Sequence, residues 1–158
     1  MALKKRQPAR KSEVNGENPK EILEINRFGG VLIEAANRAE ATALLIRSKY
    51  RVYRPEVDYD GEDMVVRTPS GKLIGVQLKS RVIVDDKKYG GRKLWMLFPS
   101  APYHQNKPRD WYLIPHDQLL PRVEQSHGHL ATWNKRWSAP VSKDMRAFLS
   151  PWRLADRT

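Results

Sequence analysis

Apolar and polar positions alternate in two stretches flanking the tetrapeptide "TPSG". Before it, Met64 and Val66 share one side of an extended chain, with Asp63 and Val65 on the other. After it, Ile74, Val76 and Leu78 fall on one side, and Leu73, Gly75, Gln77 and Lys79 on the other. Strand side chains point alternately to opposite faces, so these stretches predict a β-hairpin with one apolar face. If Met64 and Val66 join the apolar face of the partner strand, the connection must be of odd length and centred near Ser70. Asp63 then stands opposite Gln77, and a slip of one residue would spoil both faces.

The segment "VLIEAANRAEATALLIRSKY" is rich in Ala and Leu and has no internal Gly or Pro, which predicts a helix. Asn18-Pro19 has the pattern of a cap followed by Pro at the first helical position. It predicts a shorter helix, "PKEILEINRF", ending at Gly29-Gly30. "RVYRP" predicts a short strand stopped by Pro55, and "KLWMLFP" and "RDWYLIP" two more. Pro115 opens a helix over "HDQLLPRV". Ser142 caps a last helix in which Met145, Phe148 and Leu149 share a face before Pro151. The expected fold class is α/β: a mixed central sheet flanked by helices, spanning residues 19–158 as one domain after a basic N-terminal arm, 1–18.

On the long helix, Ile33, Ala36, Ala43 and Leu44 lie three, four and seven positions from Glu40, which places Glu40 within an apolar stripe. Glu34 has the more polar neighbours Asn37 and Arg38. A carboxylate on an apolar face is costly unless its charge is compensated, and a bound cation would do so. Glu40, Asp63 and Gln77 offer hard oxygen donors suited to Mg²⁺ or Mn²⁺. Lys79 can orient water or neutralise developing negative charge. Such a set suits hydrolysis of phosphodiesters.

Composition agrees. The 158 residues carry a net charge of +11, with a pI near 10.0, which suits an anionic partner: nucleic acid, acidic lipid or acidic protein. Cysteine is absent, which excludes disulfides, thiolate zinc sites and cysteine nucleophiles. The N-terminus lacks an apolar signal region and no apolar run is long enough to span a membrane, so a cytoplasmic protein is expected.

An acidic helix residue, an Asp opening a strand and a "(D/E)-x-K" pattern on the next strand form the signature of the PD-(D/E)XK nuclease superfamily, which includes restriction endonucleases and archaeal Holliday-junction resolvases. The stretch from Ala39 to Arg81, "AEATALLIRSKYRVYRPEVDYDGEDMVV…GVQLKS", resembles that core, about a quarter of the chain. The resemblance implies a restriction-endonuclease-like fold and an Mg²⁺-dependent endonuclease acting on DNA. Asp63 matches the metal-binding aspartate, Lys79 the catalytic lysine and Glu40 the helix glutamate of the resolvase-like branch. Gln77 stands where the family usually has Glu or Asp, and the backbone carbonyl of Leu78 completes the metal shell. Many members work as dimers, so a homodimer is compatible with the resemblance. Two readings from other classes stand beside it: a non-catalytic nucleic-acid-binding module that keeps the fold, and an interaction protein meeting an acidic partner.

Other residues carry two readings each. Arg81 returns to the site face by alternation and contacts a phosphate, or covers the strand end. Lys87, Lys88, Arg92 and Lys93 surround Gly90-Gly91 as a basic loop that reaches a nucleic-acid backbone, or serve solubility. Asp58, Asp60 and Glu62 form a solvated acidic loop or supply a second metal. Trp133 and Trp137, four apart, favour core packing over base stacking. His127 and His129 in "SHGH" make a poor zinc site without Cys.

Overall fold

A computed structural model describes residues 19–57, 60–104 and 107–156. The expected N-terminal arm, residues 1–18, lies outside them. The chain divides into two compact units, Met1–Leu32 and Ile33–Thr158. In the first, the described residues are helical. They belong to α1 (Pro19–Arg47), which continues into the second unit. The expected break at Gly29-Gly30 is therefore absent. Glycine costs about 1 kcal/mol in a helix but does not end it, and no Pro follows to do so. Every candidate site residue belongs to the second unit.

In that unit the strands β1 (Arg51–Tyr53), β2 (Met64–Arg67), β3 (Leu73–Leu78), β5 (Trp95–Pro99) and β6 (Trp111–Pro115) form a central sheet. Their order across it is β1-β2-β3-β5-β6. β3 and β5 are parallel, and every other pair is antiparallel. Between β3 and β5 the chain leaves the sheet through β4 (Val82–Asp85) and α2 (Asp86–Tyr89). β4 pairs with β7 (Arg136–Ala139) in a separate two-stranded sheet. α3 (His116–His127) and α4 (Lys143–Leu149) complete the unit, and a single 3-10 turn, Ser150–Trp152, follows α4. The result is a mixed α/β architecture with helices on both faces of a mixed sheet.

Each sheet face has its own core. On one face, Ala41, Leu44 and Leu45 of α1 pack on Met64, Val66, Ile74, Val76, Leu97, Trp111 and Leu113. On the other, Met96, Phe98, Tyr112 and Ile114 pack on Val82, Val84, Tyr89, Leu119, Val123, Met145 and Leu149. Full burial of each such side chain contributes roughly 1.5–3 kcal/mol. The second core contains no residue of β1, β2 or β3. Strand alternation thus gives those three strands one face under α1 and one outside the second core.

The hairpin has the expected register. Met64 pairs with Val76 and Arg67 with Leu73, about a turn in which the Gly71 N–H donates to the Thr68 carbonyl at 2.8 Å. Gly71 sits at φ +92°, a conformation that L side chains rarely adopt. Ser142 caps α4 as expected, accepting from the Met145 N–H at 3.1 Å. Trp133 and Trp137 both pack against the second core. Trp137 lies on β7. Among the described residues, no helix is long and apolar enough to cross a membrane.

The two glycine settings predict opposite effects. Gly71→Ala should lower the chemical-denaturation stability by about 1 kcal/mol or more. Gly30→Ala, in a helix with open space around it, should leave stability unchanged or raise it by up to about 1 kcal/mol, with helical circular dichroism undiminished. Loss of helical signal in Gly30→Ala would contradict the continuous α1.

Candidate functional site

The C-terminal end of β3 gathers the hairpin's polar residues. The Asp63 N–H donates to the Val76 carbonyl at 2.9 Å, one residue out of step with the pairing of Met64 and Val76, where the β2–β3 register ends. Asp63 Oδ2 accepts from the Leu78 N–H at 2.8 Å and from Gln77 Nε2. The carboxylate thus takes a backbone donor and a side-chain donor from β3. Gln77 is buried and points away from the α1 face, as its alternation with Val76 requires.

Three neighbours shape this end. Glu62 folds back so that its carboxylate fills the space where a Cβ on Gly75 would stand, one step along the same face from Gln77. Gly61, at φ +80°, passes beside the amide: a Cβ there would lie 3.5 Å from Gln77 Oε1 and 3.7 Å from the Tyr89 ring. Tyr89 also receives the Lys79 ammonium, 5.8 Å from its ring centroid, and that of Lys88 at 5.3 Å. The backbone of Lys79 is anchored by its N–H to the Leu97 carbonyl at 2.9 Å. Behind Tyr89 lies the fully buried His116, edge-on at 5.6 Å. Its Nε2 accepts from the Asp85 N–H at 3.1 Å. Burial pushes the imidazole below its ordinary range, against the opposing pull of Asp117, Asp86 and Asp85.

Glu40 is not brought to this cluster. The buried stripe of α1 runs through Asn37, Ala41, Leu44, Leu45 and Ser48, with Glu40 at its margin. This stripe is rotated from the expected Ile33, Ala36, Ala43 and Leu44, of which Ile33 and Ala43 are exposed. Glu40 faces the opposite side of the sheet. It accepts from Arg109 Nη2 at 2.7 Å, Arg109 Nε at 3.3 Å and Trp111 Nε1 at 2.8 Å. Arg109, 2% exposed, also donates to Asn37 Oδ1 at 2.8 Å and lies over the Trp111 ring. The compensation expected from a cation comes from a guanidinium. Burial would raise the Glu40 carboxyl, but the hydrogen bonds from Arg109 and Trp111 and the Arg109 charge outweigh it, and the pKa lies below 4.5. Glu34 pairs only with Arg38, at 3.2 Å on the surface.

The remaining candidates divide. Strand β3 stops at Leu78, so alternation does not carry Arg81 to the site face. Arg81 is exposed and lines a separate cavity of about 320 Å³ with Ile33, Asn37, Tyr103 and Pro140. Lys87 and Lys88 belong to α2, which is capped by Asp85 through the Lys88 N–H at 3.1 Å; Arg92 and Lys93 follow in the turn. All four are exposed. His127 is turned to the Val123 carbonyl and the Trp137 ring rather than to a metal. Asp58 lies outside the described residues. Sequence reasoning missed Arg109, Trp111 and Tyr89. Arg109 and Trp111 act on Glu40, 69 and 71 residues away, so no local motif marks them.

Among the described residues, no group of three or more His, Cys, Asp or Glu side chains converges in a way that could hold a metal ion. The oxygen donors along this end of the face are fewer: the Asp63 carboxylate, the amide oxygen of Gln77 and, over Gly75, the Glu62 carboxylate. That set fits Mg²⁺ or Mn²⁺, since Mg²⁺ keeps several waters and is commonly held by one or two carboxylates. No protein-family model matches the chain, and no curated protein or solved structure matches it either.

The Glu40 pair predicts an acid-sensitive term in stability. Its folded-state pKa is depressed, so the contribution is present above 4.5 and is lost as pH falls through the folded value. Glu40→Gln should cost about 2 kcal/mol near neutral pH, less than a fully buried pair because Glu40 is 34% exposed. Denaturant midpoints should show the gap closing as pH is lowered below 4.5. A gap independent of pH would contradict the assignment.

Proposed function

We propose that this chain is an Mg²⁺-dependent hydrolase of phosphodiester bonds in nucleic acid, with DNA the favoured substrate, built on a restriction-endonuclease-like fold. One observation carries the reading: Asp63 and Gln77 are hydrogen-bonded to one another at the end of β3, with the Lys79 ammonium beside Tyr89 and the Glu62 carboxylate across Gly75. Two acidic groups, an amide and an ammonium crowd the exit of an otherwise apolar strand. Charge complementarity agrees, since the chain carries +11.

In this reading Asp63 is the principal ligand, with Glu62 and Gln77 completing the donor set and the Leu78 carbonyl adjoining it. A bound divalent ion would polarise a phosphoryl oxygen and lower the pKa of a water. The protein's own groups do the rest. The Leu78 N–H and the Gln77 amide fix the Asp63 carboxylate. Lys79 orients the attacking water or meets the charge that develops on the phosphoryl oxygens. The face of Tyr89 draws the ammonium to its place by cation–π attraction. The exposed Lys87, Lys88, Arg92 and Lys93 hold flanking phosphates.

A second reading rests on a different observation. Glu40 is already neutralised by Arg109, and Gln77 is uncharged, so the donor set is poorer than the full family pattern. A nucleic-acid-binding module without hydrolysis follows from that.

Incubation with linear, circular and branched DNA, and with RNA, in Mg²⁺ and Mn²⁺ separates the two. The wild type should cut. Asp63→Asn and Lys79→Ala should each lose on the order of 10²–10⁴-fold in rate while keeping the thermal midpoint and most of the nucleic-acid affinity. Variants that cut at the wild-type rate defeat the site assignment. A wild type that binds without cutting any substrate leaves the module.

A further inference from the structure

The face of β1, β2 and β3 turned away from α1 forms a lattice of three rows. The pairing register sets Arg51, Arg67 and Leu73 side by side in the first row and Tyr53, Val65 and Gly75 in the second, and in the third a side-chain hydrogen bond joins Gln77 to Asp63. Period-two alternation puts all of them on one face, because their neighbours Val52, Met64, Val66, Ile74 and Val76 belong to the α1 side. The Arg51–Arg67–Leu73 row carries no residue of the second core, whereas Tyr89 of that core lies at the Gln77 end and the Glu62 carboxylate lies over Gly75 in the middle row.

The first row is an unusual piece of sheet. Arg51 and Arg67 are direct cross-strand partners, and like charges in that position repel. None of the ion pairs among the described residues involves either of them. Arg67 Nε is buried without a hydrogen-bond partner, and Arg67 Nη1 reaches only the Gly71 carbonyl at 3.4 Å. The neighbouring Arg67 foremost, and Arg51 after it, hold the Tyr53 phenol below its ordinary range despite some burial. Tyr53 and Leu73 are 44% and 52% exposed, so an aromatic and an apolar side chain flank the cations in the open. Two converging guanidinium groups with unused donors match an oxyanion, and a neighbouring exposed ring matches a base.

We propose that Arg51, Arg67 and Tyr53 form a binding site for the phosphate backbone of nucleic acid, on the same sheet face as Asp63, Gln77 and Lys79. Four residue steps separate Arg67 from Asp63, about 14 Å of extended chain. That span corresponds to about four duplex base steps. A strand held by the arginine row thus points along the same sheet face toward Asp63, past the Glu62 carboxylate over Gly75. The proposal rests on the nucleic-acid-binding part of the reading above and not on hydrolysis.

The test is fluorescence anisotropy with a labelled DNA duplex, without divalent cations, between about 50 and 200 mM salt. The wild type should bind with a steep salt dependence. The Arg51→Ala/Arg67→Ala double variant should bind more weakly, with the log–log slope reduced by about one to two units. Arg51→Lys/Arg67→Lys should recover the slope, which a purely structural role would not require. Arg51→Ala alone, at an exposed position, should still lower the slope if the double variant fails to fold. A wild-type slope and affinity in the alanine variants overturn this site while leaving the wider reading intact. A wild type that binds no nucleic acid overturns both.

Discussion

The arrangement depends on the register of one antiparallel pair. Met64 and Val66 must lie under α1 together with Ile74 and Val76, and only an odd-length connection about Ser70 allows it. That apolar requirement fixes the polar face as a consequence. Beside the Met64–Val76 pair, the Gln77 amide donates to the Asp63 carboxylate. The Leu78 N–H then finds the Asp63 carboxylate at 2.8 Å, a charge-assisted bond that holds the acid where the strand ends. Arg67 meets Arg51 for the same reason, two rows away. The acidic end and the basic end of this face are products of the same packing decision.

The sheet separates two acidic groups that the chain pattern had joined. Glu40 belongs with Arg109, Trp111 and Asn37 on the α1 side. There a buried guanidinium, close-packed on an indole and paired with a carboxylate, ties α1 to the start of β6. Its role is architectural: removing either partner strands a charge in a poorly hydrated place. Asp63 belongs to the opposite face, where Glu62 is the nearby second carboxylate, held close because Gly75 leaves room for it.

What the amino-acid pattern disclosed depends on how strongly each feature is over-determined. The hairpin, its turn and its facing residues were legible because two apolar faces and one loop length agree. Ser142 was legible as a cap because a side-chain oxygen before an amphipathic turn has few other uses. Glu40 was legible as a carboxylate needing compensation, but not in its partner, since Arg109 lies 69 residues away. The phase of the α1 stripe was misjudged because Ala fits both inside and outside a helix. Gly29-Gly30 suggested a stop that the helix does not make. α2, four residues long, and β7, with Trp137 on a strand, fall below what periodicity resolves.

Calorimetric titration of Mn²⁺ into the wild-type chain, Asp63→Asn and Glu40→Gln tests the central claim most directly: the cation site belongs to the hairpin face and not to the helix. The account predicts a saturable heat in the wild type, its loss in Asp63→Asn and its retention in Glu40→Gln. Saturable binding that survives in Asp63→Asn and disappears in Glu40→Gln would contradict it.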